Sequence, residues 1–81
     1  MAGSTGGGLS RTQQVAAELV AVVLNVEVSV GQKVEAGETL VLLESMKMEI
    51  PVLAEAPGTV LEIKVAPTDQ VQDGDVLVVL G

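Results

Sequence analysis

Lys47 stands between two methionines in the run Glu44-Ser45-Met46-Lys47-Met48-Glu49-Ile50. A primary amine is a nucleophile once it loses its proton, and amines of this kind are acylation targets. Asp73 and Asp75 flank Gly74 like an acid/base pair or a cation site. No third or fourth oxygen donor stands at suitable spacing, and their counterparts elsewhere in the chain, Ala36 and Glu38, make them turn residues first. Gly6 to Gly8 are not followed by the Gly-Lys-Ser/Thr of a phosphate loop. Lys33, in a turn, and Lys64, alternating outward in a strand, read as plain surface charges.

The residues that are missing exclude a good deal of chemistry. The 81-residue chain has no His, no Cys and no aromatic residue. It therefore has no disulfide framework, zinc site, thiol nucleophile or imidazole base, and intrinsic catalysis is not expected. The net charge of −7 and the lack of stacking rings argue against nucleic acid as a partner. The longest uncharged apolar stretch, Leu19 to Leu24, is too short to span a bilayer, and the first residues lack the charged n-region, apolar core and cleavage site expected of a secretory leader. The expectation is a soluble, cytoplasmic domain, monomeric in isolation, with no metal and no membrane partner. Its acidity either steers it toward basic partners or keeps a small β protein soluble.

One domain is the most this length permits. Residues 1–10 have linker composition and read as a flexible tail or an artificial remnant, leaving 11–81 as the domain. Val (16), Leu (10) and Ile (2) make the rest too apolar for a disordered chain, and the excess of Val favours strands. Residues 10–18 either hold a helical turn or, the preferred reading, lead into a first strand beginning at Leu19, in which Val22, Leu24, Val26, Val28 and Val30 alternate with Val23, Asn25, Glu27 and Ser29. Turn residues then separate the apolar runs Leu40 to Leu43, Ile50 to Leu53, Val60 to Val65 and Val76 to Leu80. The fold class is all-β, a small sandwich or flattened barrel.

Laid on itself at an offset of 37 residues, the chain repeats. Val23-Leu24 meets Val60-Leu61, Val28 meets Val65, Val34 meets Val71, Gly37 meets Gly74, Leu40-Val41 meets Leu77-Val78, and Leu43 meets Leu80; upstream, Ala17-Glu18 meets Ala54-Glu55. One half buries too little apolar surface to be stable, so two equivalent halves should share a core about a quasi-twofold axis.

Residues 45–53 belong to neither half. A strand from Leu40 to Ala54 would run about 15 residues, far beyond the usual length, so the chain turns within Glu44 to Glu49 and sets Lys47 at or near a hairpin tip. Two readings of the methionines stay open. Met46 and Met48 are exposed at the tip for another protein to grip, or with Ile50 they form one strand face packed on the core.

The run Glu44 to Ile50 resembles the attachment motif of biotinyl domains, in which the Lys between two Met residues receives biotin. The resemblance extends from about Glu18 to Leu80 and includes the repeat, the Gly37-Glu38 and Gly74-Asp75 turns and Ala56-Pro57-Gly58-Thr59-Val60. Within the biotin/lipoyl attachment family the chain looks most like the small standalone carriers. Two departures stand out. Val20-Ala21-Val22-Val23 replaces a common Pro-Met-x-Gly stretch, and Pro67-Thr68-Asp69 replaces a Gly-Asp turn.

The resemblance implies a flattened barrel of two four-stranded antiparallel sheets (a barrel-sandwich hybrid). It would be thumbless, since there is no room for a protruding thumb between Val23 and Gly31. It implies biotin in amide linkage on Lys47, Met46 and Met48 as flanks read by a biotin protein ligase, and Glu44 as part of the motif that presents the tip. It further implies a non-catalytic carrier whose biotin arm shuttles carboxyl groups between a biotin carboxylase and a carboxyltransferase acting on an acyl-CoA or keto acid. The alternatives are a lipoyl carrier, whose sites usually read Asp-Lys-Ala, and an unmodified interaction module.

Overall fold

The computed structural model describes residues 12–81, so the expected tail over residues 1–10 lies outside the described part. Eight strands follow in order: β1 (Gln13–Ala16), β2 (Ala21–Val26), β3 (Lys33–Val34), β4 (Thr39–Ser45), β5 (Met48–Leu53), β6 (Gly58–Ile63), β7 (Gln70–Val71) and β8 (Val76–Leu80). They form two four-stranded sheets, ordered β1-β8-β6-β3 and β5-β4-β2-β7, and every pairing is antiparallel. Shifting each label by four converts one order into the other. The repeat in the sequence is thus a repeat of topology.

Hydrogen bonds and core obey the same offset. The N–H of Gly37 donates to the Ala54 carbonyl and that of Gly74 to the Ala17 carbonyl, both at 2.8 Å. The core carries six matched pairs: Ala17 with Ala54, Val23 with Val60, Val34 with Val71, Leu40 with Leu77, Val41 with Val78 and Leu43 with Leu80. No polar or charged side chain is buried among the described residues. The two halves therefore cohere through apolar burial and backbone pairing.

The turns explain the acidic residues beside the glycines. Gly37 and Gly74 have φ of +88° and +95°, a region that residues bearing a Cβ rarely adopt. The carboxylates that follow cap the same turns: Glu38 Oε1 accepts from the Glu35 N–H and Asp75 Oδ2 from the Gln72 N–H, each at 2.9 Å. Asp75 is a turn cap.

Three sequence expectations need correction. Residues 13–16 form a strand of their own, paired with β8, where a lead-in to the first strand was expected. They match Ile50 to Leu53 at the repeat offset, so the segment outside the repeat is shorter than 45–53. The second strand spans only Ala21–Val26, and its register shifts between Val23 and Asn25. Before that bulge the faces are the reverse of the expected ones, with Ala21 and Val23 buried and Val22 exposed; beyond it Val26 and Val28 face the core as expected, and Val30 is exposed in the turn that follows. Lys33 lies in β3 opposite Thr59 rather than in a turn, and Lys64 follows the end of β6.

Candidate attachment site at the hairpin tip

β4 and β5 pair from Thr39 opposite Leu53 up to Ser45 opposite Met48, leaving Met46 and Lys47 as a two-residue turn. Their φ values, +52° and +64°, are both positive, the signature of a type I′ hairpin turn. Such a turn matches the twist of its strands, but it usually takes Asn-Gly. For an L-residue with a Cβ, each left-handed conformation costs about 1–2 kcal/mol. This strain is concentrated on the methionine and lysine of the motif, and strained residues of this kind persist where the surrounding structure holds them.

The flanks decide between the two readings of the methionines. Met46 is 91% exposed and Met48 61%, so neither is a core residue, whereas Ile50 packs against the core. Lys47 is exposed, and among the described residues the only ion pair joins Lys64 to Glu62 at 3.3 Å. The Lys47 amine is held by no carboxylate. A cleft of about 580 Å³ lies between β1 and β5, but Lys47 does not line it. The tip protrudes, whereas small-molecule active sites are concave.

Glu44 is exposed on β4, opposite Glu49 on one side and Val22 on the other. Sequence reasoning assigned no role to Ser45, yet its Oγ donates to the Val20 carbonyl at 3.1 Å and ties the base of the hairpin to the segment that enters β2. The partners are 25 residues apart, and no local pattern signals such a contact. Among the described residues no group of three or more His, Cys, Asp or Glu gathers as a metal site.

An exposed lysine on a two-residue turn at the tip of a hairpin, in a two-sheet β barrel, is the arrangement of a carrier-type domain. Residues 13–80 match the biotin/lipoyl family model described as biotin-requiring enzyme, and the chain belongs to that family. It is 52% identical over 68 residues to the biotinylated protein TB7.3 homolog of Mycobacterium leprae, covering 84% of this chain and 96% of the relative. Among solved structures it resembles Kluyveromyces lactis urea carboxylase, with a TM-score of 0.84 and 29% identity. That match covers 89% of this chain but 6% of the much longer enzyme. The lipoyl domain of the 2-oxoglutarate dehydrogenase complex from Azotobacter vinelandii has the same fold, with a TM-score of 0.67 and 30% identity over 85% of this chain and 90% of that one. The chain is a biotin/lipoyl attachment domain homologous to domains within carboxylases.

Proposed function

We propose that the chain is a biotin carboxyl carrier and that Lys47 is the acceptor of biotin. The observation that carries this reading is the Met-Lys-Met tip, an unpaired amine on a two-residue turn between two exposed methionines. Methionine flanks favour biotin over lipoate, and the M. leprae relative is itself described as biotinylated. The site suits a covalent group, since Lys47 is exposed and sits on a tight two-residue turn between paired strands. The deprotonated Lys47 amine attacks biotin that the ligase has activated as an adenylate, the N–C bond forms as AMP leaves, and the nitrogen gives up its positive charge in becoming an amide. Biotin so held supplies a ureido nitrogen that accepts and releases a carboxyl group. The domain itself supplies position and effective concentration. Met46 and Met48 offer the apolar grip for a biotin protein ligase. A biotin carboxylase and a carboxyltransferase are the partners in turnover, meeting the domain through small, weak interfaces that release it readily.

Intact mass spectrometry after co-expression with a biotin protein ligase tests the proposal. One biotinyl adduct is expected on the natural chain and none on Lys47→Arg. Lys33 and Lys64 are internal controls. A lipoyl mass, or an adduct on either control lysine, overturns the reading.

A further inference from the structure

Single exposed apolar side chains are ordinary on a protein surface, but a cluster around one reactive group is not. Of the seven large apolar side chains exposed among the described residues, four belong to the Lys47 end of the hairpin: Met46 and Met48 flank Lys47, and Val20 and Val22 lie on the chain beside the base of the tip. Val20 is 62% exposed and its carbonyl is bound by Ser45 at the base of the tip. Val22 lies directly opposite Glu44. The fold does not require valine at either place. At the repeat offset the equivalents of Val20 and Val22 are Pro57 and Thr59, and Thr59 occupies the matching position in β6. Two exposed carboxylates, Glu44 and Glu49, lie opposite each other across the same end of the sheet.

We infer that Val20 and Val22 are recognition residues, covered by the enzyme that acylates Lys47 at the same time as it covers Met46 and Met48. This rests on the reading of Lys47 as the acceptor. An enzyme that draws the amine into its active site must cover the surface around the tip. The chemistry of that surface specifies the covering patch, apolar over the valines and methionines and cationic where it meets Glu44 and Glu49. Recognition then extends beyond the three-residue motif to a second strand, so that the ligase reads a folded hairpin seated on β2 and not a linear peptide.

The test uses the full chain without biotin, a biotin protein ligase, and labelling kinetics followed by intact mass. Val-to-Thr exchange keeps the shape and the strand preference while placing a hydroxyl where a methyl was. The double variant Val20→Thr/Val22→Thr is expected to raise the ligase KM for the domain by about tenfold, with kcat and thermal midpoint unchanged. Val30→Thr is the control, because Val30 is 63% exposed and its neighbour Gly31 donates to Val60 in the other sheet. An unchanged KM in the double variant, or an equal rise with Val30→Thr, overturns the inference while leaving Lys47 as the acceptor. A natural chain that takes up no biotin at Lys47 overturns the carrier reading and this inference with it.

Discussion

Thr68 has a φ of +78°, and the residue 37 positions earlier, Gly31, has +92°. The two occupy equivalent turns: the Thr68 N–H donates to the Val23 carbonyl as the Gly31 N–H does to Val60, both at 2.8 Å. One half of the molecule thus meets the demand for a left-handed residue with glycine and the other with a β-branched side chain, the least suited type. Thr68→Gly should raise the unfolding free energy by about 0.5–1 kcal/mol, the relief of the left-handed strain less the entropy glycine loses on folding. Urea titration followed by circular dichroism reads the change as a shift in midpoint at constant slope, and no shift would show that the turn holds no strain. In the sequence, Pro67-Thr68-Asp69 was visible only as a departure from a Gly-Asp turn. Met46 and Met48 were ambiguous for a different reason. Together with Ile50 they have strand parity, and only a turn confined to two residues separates the exposed pair from the packed isoleucine.

The hairpin of β4 and β5 was legible as an element because an unbroken apolar strand of its length would be too long, and its polar centre had to turn. Strand β1 was not, since Gln-Gln-Val-Ala is short and polar and carries no periodicity. Its role follows from pairing with β8, and the signal that would have found it is the repeat carried upstream to Gln13. Strand β2 was found, and its faces were read correctly beyond the bulge, at Val26 and Val28, but reversed before it, at Ala21 to Val23, because one bulged residue changes the parity of the strand. The hairpin's function should depend on its register more than its stability does. Inserting one glycine between Lys47 and Met48 converts the turn to three residues, a length hairpins also accept. The thermal midpoint should fall by only a few degrees for a loss of about 1 kcal/mol or less, while the amine moves relative to Met48 and to the strands beneath. Ligase kcat/KM should drop by more than about tenfold, in line with the cost of misplacing a reacting group. Retention of the natural rate would mean that the ligase reads a flexible segment.

At the scale of the whole molecule, the matched core pairs mean that neither half has a core of its own. Leu40 and Leu77 are both fully buried and occupy equivalent places, one in each sheet. A domain of this size has about 4–10 kcal/mol of stability in total, and truncating a buried leucine to alanine costs about 2–5 kcal/mol. Leu40→Ala and Leu77→Ala should therefore destabilise by similar amounts, each taking a large share of the total, and the double variant should be unfolded in water. With one shared core, each single variant should still unfold in a single transition. The chain has no aromatic residue to serve as a fluorescent probe. Far-ultraviolet circular dichroism and amide exchange resolved by NMR are the appropriate readouts, and protection should fall in both sheets together whichever leucine is removed. Loss of protection confined to the sheet of the altered leucine would show two separable cores. It would also mean that the hairpin presenting Lys47 stands independently of the other half, on which the inner faces of its strands rest.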